Sequence, residues 1–233
     1  MGILSEKVAV VTGAGSGLGR ATALRFAEEG AIVILCGRRL GRLEETARLI
    51  ASAGGRSQAL RLDIASESDV LRMQEFVRTA YSRIDLLINN AAVVELGSVA
   101  DTSLDSWNYQ ISVNLTGAFL MTKACLPLMR ERKYGRIVNI TSSLAENGAG
   151  GYVAYSVSKA GLETLTRTIA EEEITHGILT NTYNPGTIRT EMHATGQEPA
   201  AVVPDILALA SLPKHGPNGK LFEAGGLPLA AGG

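Results

Sequence analysis

Cysteine and histidine are scarce in this chain, and each scarcity closes off a class of chemistry. The two cysteines, Cys36 and Cys125, are far apart and lack metal-ligand spacing. A disulfide framework or thiolate metal site is therefore not expected, and small buried thiols in a reducing compartment are. The three histidines, His176, His193 and His215, are not spaced as a metal site either, and ordinary surface or lid positions suit them better than catalysis. Excess charge is missing too, with a formal net charge of −1. Binding to nucleic acid or an anionic membrane calls for a concentrated basic patch, and Arg38, Arg39 and Arg42 form only a short one. No unbroken apolar run reaches the roughly 18 residues of a bilayer span. The opening M-G-I-L-S-E-K lacks the regions of a signal peptide. These absences predict a cytoplasmic protein with neither nucleic acid nor membrane as partner.

What is present is apolar: 45% of the 233 residues, enough to bury a sizeable core in one domain spanning 1–233. Short β-branched runs recur at 7–11, 31–35, 58–62, 86–88, 136–140 and 178–182, with a weaker one at 220–222. Such runs suit strands buried on both faces. Segments with helical spacing lie between them, for example Gly19 to Glu29, Arg42 to Ala53 and Ser68 to Arg83. Strand alternating with helix predicts an α/β fold, a doubly wound parallel sheet covered on both faces by right-handed crossovers. The stretch from Gly196 to Pro204 reads as a loop near a helix start.

After the first strand comes T-G-A-G-S-G-L-G, Thr12 to Gly19, leading into an amphipathic segment. A glycine turn between strand and helix lets the backbone approach a pyrophosphate, whose charge is favoured by free N–H groups and the helix dipole. The same turn also serves plain tight packing, and its spacing is wider than G-x-G-x-x-G; its place after the first strand favours the nucleotide reading. The second strand ends in Gly37, Arg38 and Arg39. A carboxylate there accepts the ribose 2′-hydroxyl bonds, whereas arginine pairs with a 2′-phosphate. Glycine followed by two arginines points to NADP(H) over NAD(H). The competing explanation, a solvated basic helix start, fits Arg42 better than Arg38.

Tyr155 and Lys159 stand four residues apart in Y-S-V-S-K and share a helix face. Lowering a tyrosine pKa by about three units requires roughly 4 kcal/mol of preference for the phenolate. A nearby ammonium in a partly desolvated cleft supplies much of that, and an oxidised nicotinamide adds to it. Such a phenol exchanges a proton with an alcohol or carbonyl oxygen near neutral pH. A snorkelling lysine beside a half-buried tyrosine is the bland alternative. Upstream, the strand R-I-V-N-I ends in T-S-S, Thr141 to Ser143, at the sheet edge where ligands of doubly wound folds bind. A hydroxyl there holds a substrate oxygen or merely caps a turn.

Together, T-G-A-G-S-G-L-G, N-N-A-A at 89–92, Asn114, Ser142, Tyr155 with Lys159, and P-G-T-I-R-T at 185–190 resemble the short-chain dehydrogenase/reductase family, in order from about Lys7 to Thr190. The resemblance implies a Rossmann-like sheet of about seven strands in the order 3-2-1-4-5-6-7. It implies that Tyr155 is the general acid in carbonyl reduction and the base in alcohol oxidation. Lys159 lowers its pKa and holds the nicotinamide ribose, Ser142 bonds the substrate oxygen, and Asn114 anchors a water linked to Lys159. Ser142 is preferred over Ser143 because it precedes Tyr155 by thirteen residues, as the family's serine does. The cofactor residues so implied are Thr12, Gly13, Ser16, Gly17, Leu18 and Gly19 at the turn, Asp63, Ile64, Asn90 and Ala91 at the adenosine, where Arg38 and Arg39 already stand, and Tyr155 and Lys159 at the nicotinamide end. Pro185, Gly186, Ile188 and Thr190 are implied beside the carboxamide. Tyr152 is expected to line the substrate cleft.

Two departures stand out. Ala92 occupies a position where the family commonly has glycine, which either narrows the cofactor groove or only forbids positive φ. The substrate lid around 190–204 is short, which excludes less water and leaves selectivity broad or supplied by a neighbouring subunit. The resulting expectation is an NADPH-dependent reductase of ketones or aldehydes, reversible in principle. 3-Oxoacyl thioesters and free small ketones both remain open as substrates. The segments Leu104 to Arg132 and Tyr152 to His176 are implied to pair across a dimer or tetramer interface. A non-catalytic NADP(H)-binding sensor or scaffold is the alternative, and it needs no proton relay.

Overall fold

A computed structural model describes residues 2–191 and 194–226. Met192, His193 and the residues after 226 lie outside the described part. The strands are β1 (Val8–Thr12), β2 (Ile32–Gly37), β3 (Arg56–Arg61), β4 (Leu86–Asn89), β5 (Gly135–Ile140), β6 (Ile178–Asn184) and β7 (Leu221–Glu223). The helices are α1 (Gly17–Glu28), α2 (Leu40–Ser52), α3 (Glu67–Tyr81), α4 (Leu104–Ile111), α5 (Gly117–Arg132), α6 (Leu144–Asn147), α7 (Val153–Glu172) and α8 (Pro199–Ala210). The sheet order is β3-β2-β1-β4-β5-β6-β7, and every ladder is parallel. This is the Rossmann-like order expected.

Strand alternation explains the two-sided core. Ala9, Val11, Val33, Leu35, Ile88 and Val138 point to one face and pack with Phe26, Leu43 and Ile206 of α1, α2 and α8. Val8, Val10, Ile34, Leu87 and Ile137 point to the other and pack with Met73, Val77, Met121 and Leu128 of α3 and α5. β1, β5 and β6 are buried along their whole length, as central strands covered by helices on both faces are. Asp85, fully buried, accepts from the Val8 N–H at 2.8 Å and takes a two-point bond from Arg83 at 2.7 and 2.6 Å. It anchors β4 beside β1, the pair at which strand order reverses.

The segment 104–132 is helical but irregular: a π-helical turn, Ser112–Thr116, joins α4 to α5. That turn carries Asn114, and such insertions often mark functional positions. By length and composition the whole run is apolar enough to cross a bilayer, although half of the relevant window is buried within the protein. The apolar residues of this run are interrupted throughout by polar and charged ones, among them Asn108, Gln110, Asn114 and Lys123. The stretch 196–204 is only partly loop: α8 starts at Pro199, whose fixed φ suits a first helical position.

Candidate active site

At the carboxyl ends of β1, β2, β4, β5 and β6 lies a cleft of about 810 Å³ that stretches from Gly37 and Arg38 to Tyr155 and Lys159. Its floor is the turn between β1 and α1. Thr12 is fully buried behind that floor: its hydroxyl donates to the Ile88 carbonyl and accepts from the Asn90 and Ala91 N–H groups at 2.9 and 3.0 Å. Asn90 returns a bond from Nδ2 to the Thr12 carbonyl at 2.9 Å. These bonds tie the N-N-A-A segment to the turn. A β-carbon on Gly19 would lie 2.3 Å from the Gly13 carbonyl oxygen, so only glycine lets α1 start this close to the strand. Ser16, Gly17 and Leu18 line the cleft at the amino end of α1, where N–H groups lack intrahelical acceptors.

One end gathers Arg38, Arg39, Asp63, Ile64, Asn90 and Ala91 on the cleft wall. Arg38 donates to the Tyr109 hydroxyl at 2.9 Å, while Arg39 donates to Ser16 Oγ at 3.1 Å and pairs with Glu191 at 2.8 Å. Asp63 Oδ1 accepts from the Ala65 N–H at 3.0 Å, which fixes its carboxylate at the rim. Ala92 also lines the cleft. It is not among the described non-glycine residues with positive φ, which are Glu6, Ser82 and Lys133, so alanine meets no backbone strain there.

At the other end α7 presents Tyr155 and Lys159 one turn apart. Lys159 is buried and its Nζ donates to the Ile140 carbonyl at 2.8 Å, beneath a phenol whose ring centre is 5.5 Å away. Burial pulls the Lys159 pKa down to about 8. Burial likewise pushes Tyr155 up, opposed by its hydrogen bond with the Ser142 hydroxyl. The ammonium therefore does not bring the phenol below its ordinary range when only protein groups act on it. Ser142 Oγ also accepts from the Leu144 N–H at 3.3 Å, so it serves the turn as well as the phenol.

Asn114 does not reach the cleft wall. Its Oδ1 accepts from the Val93 N–H at 2.8 Å, and its Nδ2 donates to the Val93 carbonyl and to Ser158 Oγ at 2.9 and 3.1 Å. It joins the π-helical turn to α7, one residue before Lys159. Thr12 and Gly19 stand behind the wall too, whereas Gly13, Pro185, Gly186, Ile188 and Thr190 line it, as does Tyr152. A β-carbon on Gly17 would meet Thr190 Cγ2 at 2.9 Å, which shows how closely the segment after β6 lies over the turn. The sequence carries no signal for Tyr109 or Glu191, each of which meets an arginine from a distant element. Ser158 lies inside Y-S-V-S-K, but its bond to Asn114 is a tertiary contact that the motif does not encode. Both cysteines are buried, with the Cys36 thiol pushed up to about 12, so they are not nucleophiles.

A cleft with a glycine-rich turn on its floor, arginines at one end and a phenol–ammonium–hydroxyl set at the other fits a dinucleotide. Fold and site thus define a dinucleotide-binding α/β protein equipped for proton transfer. The family described as short chain dehydrogenase matches residues 7–200, and the chain belongs to that family as an NAD(P)-dependent oxidoreductase acting on CH–OH groups. It is 38% identical over 194 residues to a 3-oxoacyl-[acyl-carrier-protein] reductase of Synechocystis sp., covering 82% of this chain and 78% of the relative. It is 40% identical over 192 residues to a (2S)-[(R)-hydroxy(phenyl)methyl]succinyl-CoA dehydrogenase subunit of Thauera aromatica, covering 82% and 77%. A metagenomic short-chain oxidoreductase solved in complex with NADP superposes with a TM-score of 0.87 at 31% identity, covering 95% of this chain and 98% of that one.

Proposed function

We propose that the protein is a cytoplasmic, homo-oligomeric NADPH-dependent carbonyl reductase in which Tyr155 delivers the proton. The carrying observation is the Ser142–Tyr155–Lys159 arrangement at the end of the cleft opposite the arginines. When bound, NADPH supplies the hydride that reaches the carbonyl carbon. Ser142 and the Tyr155 hydroxyl hold the carbonyl oxygen, and the phenol passes its proton to that oxygen as the alcohol forms. Lys159, fixed by Ile140, faces the nicotinamide ribose and the returning proton, and Asn114 holds the π-helical turn against α7 beside it. The backbone from Gly13 to Leu18 takes the pyrophosphate. Asp63 and Ile64 flank the adenine, and Pro185 to Thr190 position the carboxamide.

Gly37 with Arg38 and Arg39 supports NADPH over NADH, because a 2′-phosphate finds charge-assisted donors and no opposing acid on the strand end. A solved relative in complex with NADP supports binding of NADP(H) by this fold. The names of the two relatives, a 3-oxoacyl-carrier-protein reductase and a dehydrogenase of a hydroxylated succinyl-CoA, favour a 3-oxoacyl thioester over a free small ketone. Exposed Leu104, Phe119, Val157 and Ile174 on α4, α5, α7 and the turn after α7 support self-association, with a dimer or tetramer on sedimentation.

The test follows NADPH consumption with acetoacetyl-CoA and a panel of small ketones, for wild type and Tyr155→Phe. Wild type is expected to turn over the thioester. The variant is expected to bind NADPH with unchanged affinity and to lose about 10²- to 10⁴-fold in kcat, the usual contribution of a general acid. Tight NADPH binding with no turnover of any carbonyl by wild type overturns the catalytic reading.

A further inference from the structure

The two arginines at the adenosine end differ in what already holds them. Arg38 bonds a neutral phenol, Tyr109. Arg39 bonds a carboxylate: its Nη2 lies 2.8 Å from Glu191 Oε2, and the other carboxylate oxygen is 3.8 Å from Arg42 Nη2. Glu191 comes from the segment after β6, on the opposite side of the turn from the β2–α2 corner that carries Arg39. The pair therefore spans the cleft above Ser16 and Gly17, and Glu191, Arg39, Ser16 and Gly17 all line it. Arg39 holds its place with the same Nη2, which also donates to Ser16 Oγ at 3.1 Å.

Among the described residues, Glu191 is the acid paired with Arg39. Glu45 already takes Arg20 at 3.0 Å and Arg42 at 3.4 Å. Glu191 is held well below the usual carboxylate range, first by its hydrogen bond with Arg39 and then by the charges of Arg39, Arg42 and Arg20, so it stays ionised at neutral pH. An anionic group arriving at this corner must share Arg39 with an existing anion. A carboxylate on β2 does the same job in a sheet that selects against the 2′-phosphate. Here the strand end is Gly37, and the acid arrives from the far side of the cleft.

Building on the NADPH reading above, we propose that Glu191 is a specificity-determining residue: it competes with the cofactor's 2′-phosphate for Arg39 and so limits how strongly the cleft discriminates NADPH from NADH. The competition is selective because an unphosphorylated ribose offers no anion to exchange for the carboxylate. It is also modest, since Arg39 and Glu191 are both more than half exposed and solvent screens the pair.

The test measures dissociation constants by calorimetry for adenosine 2′,5′-bisphosphate, adenosine 5′-monophosphate, NADP⁺ and NAD⁺, with wild type, Glu191→Gln, Arg39→Gln and the double variant. Glu191→Gln is expected to tighten the two 2′-phosphorylated ligands about two- to fivefold, the range an exposed ion pair sustains, and to change the other two less. In the Arg39→Gln background the same change is expected to vanish, because the contested group is gone. Equal tightening of phosphorylated and unphosphorylated ligands, or a Glu191→Gln effect that persists without Arg39, overturns the proposal. The NADPH reading fails separately, if wild type binds NAD⁺ at least as tightly as NADP⁺.

Discussion

The ammonium of Lys159 stands 5.5 Å from the centre of the Tyr155 ring, yet its hydrogen bond goes to the Ile140 carbonyl at 2.8 Å. The lysine is thus moored to the end of β5, and α7 holds the phenol one turn away. Burial acts oppositely on the two groups, pushing the phenol up and the ammonium down to about 8. The simple expectation, a cation that makes its neighbour acidic, leaves out this shared desolvation. With protein groups alone, Lys159 gives up its proton before Tyr155. A phenol ionised near neutral pH then needs further positive charge, and an oxidised nicotinamide carries it.

Lys159 also makes stability depend on pH in a defined window. Its folded pKa is depressed to about 8, while the unfolded chain keeps the proton to about 10.4. Between those values the unfolded state binds more protons, so stability rises with pH; below pH 8 both states are charged and this slope disappears. Wild type is expected to gain stability relative to Lys159→Met between pH 8 and 10, by at most about 3 kcal/mol. Urea unfolding of both proteins at several pH values measures the difference, in which other titrations cancel. A difference that stays flat across the window removes the buried ammonium as its source.

Cofactor choice is expected to respond to Arg38 more than to its support. Arg38→Asp replaces a charge-assisted donor with a repelling acid, and the ratio of kcat/KM for NADPH over NADH is expected to fall by at least about tenfold. Tyr109→Phe removes only the neutral bond that positions the guanidinium, for which a fall of about two- to fivefold is expected. Both ratios are read with one carbonyl substrate held fixed. An unchanged ratio in Arg38→Asp places the selectivity elsewhere.

The sheet was legible because β-branched runs such as V-A-V-V-T and G-R-I-V-N-I are buried on both faces, and periodicity reports burial directly. Gly13, Gly17 and Lys159 were legible because their spacing is local, within one turn or one helix. The π-helical turn at Asn114 was not, since its cause is a tertiary clamp: the Asn114 amide on both backbone groups of Val93. Tyr109 and Glu191 were hidden for the same reason. Each meets an arginine from a distant element, and no local pattern encodes that meeting. The upward push of burial on Tyr155 is not legible, because spacing shows that two side chains are neighbours and says nothing of how deeply both are buried.

Two glycines separate close approach from mere helix propensity. A β-carbon on Gly19 would sit 2.3 Å from the Gly13 carbonyl oxygen and 2.5 Å from Asn90 Nδ2. Neither atom yields cheaply, because one is backbone and the other bonds the Thr12 carbonyl. Gly41, near the start of α2, has nothing within 4 Å of the same position. Gly19→Ala is therefore expected to cost about 3 kcal/mol through overpacking, which for a chain of this size lowers Tm by about 6–12 °C. Gly41→Ala is expected to be neutral or to stabilise by about 0.5 kcal/mol. NADPH raises Tm by mass action on the folded state, so its increment is expected to match wild type in Gly41→Ala and to shrink in Gly19→Ala, where α1 and the turn no longer meet correctly. Thermal unfolding of the three proteins with and without NADPH reads both effects, and equal Tm values with equal increments would mean that the approach of α1 to the turn does not shape the phosphate site.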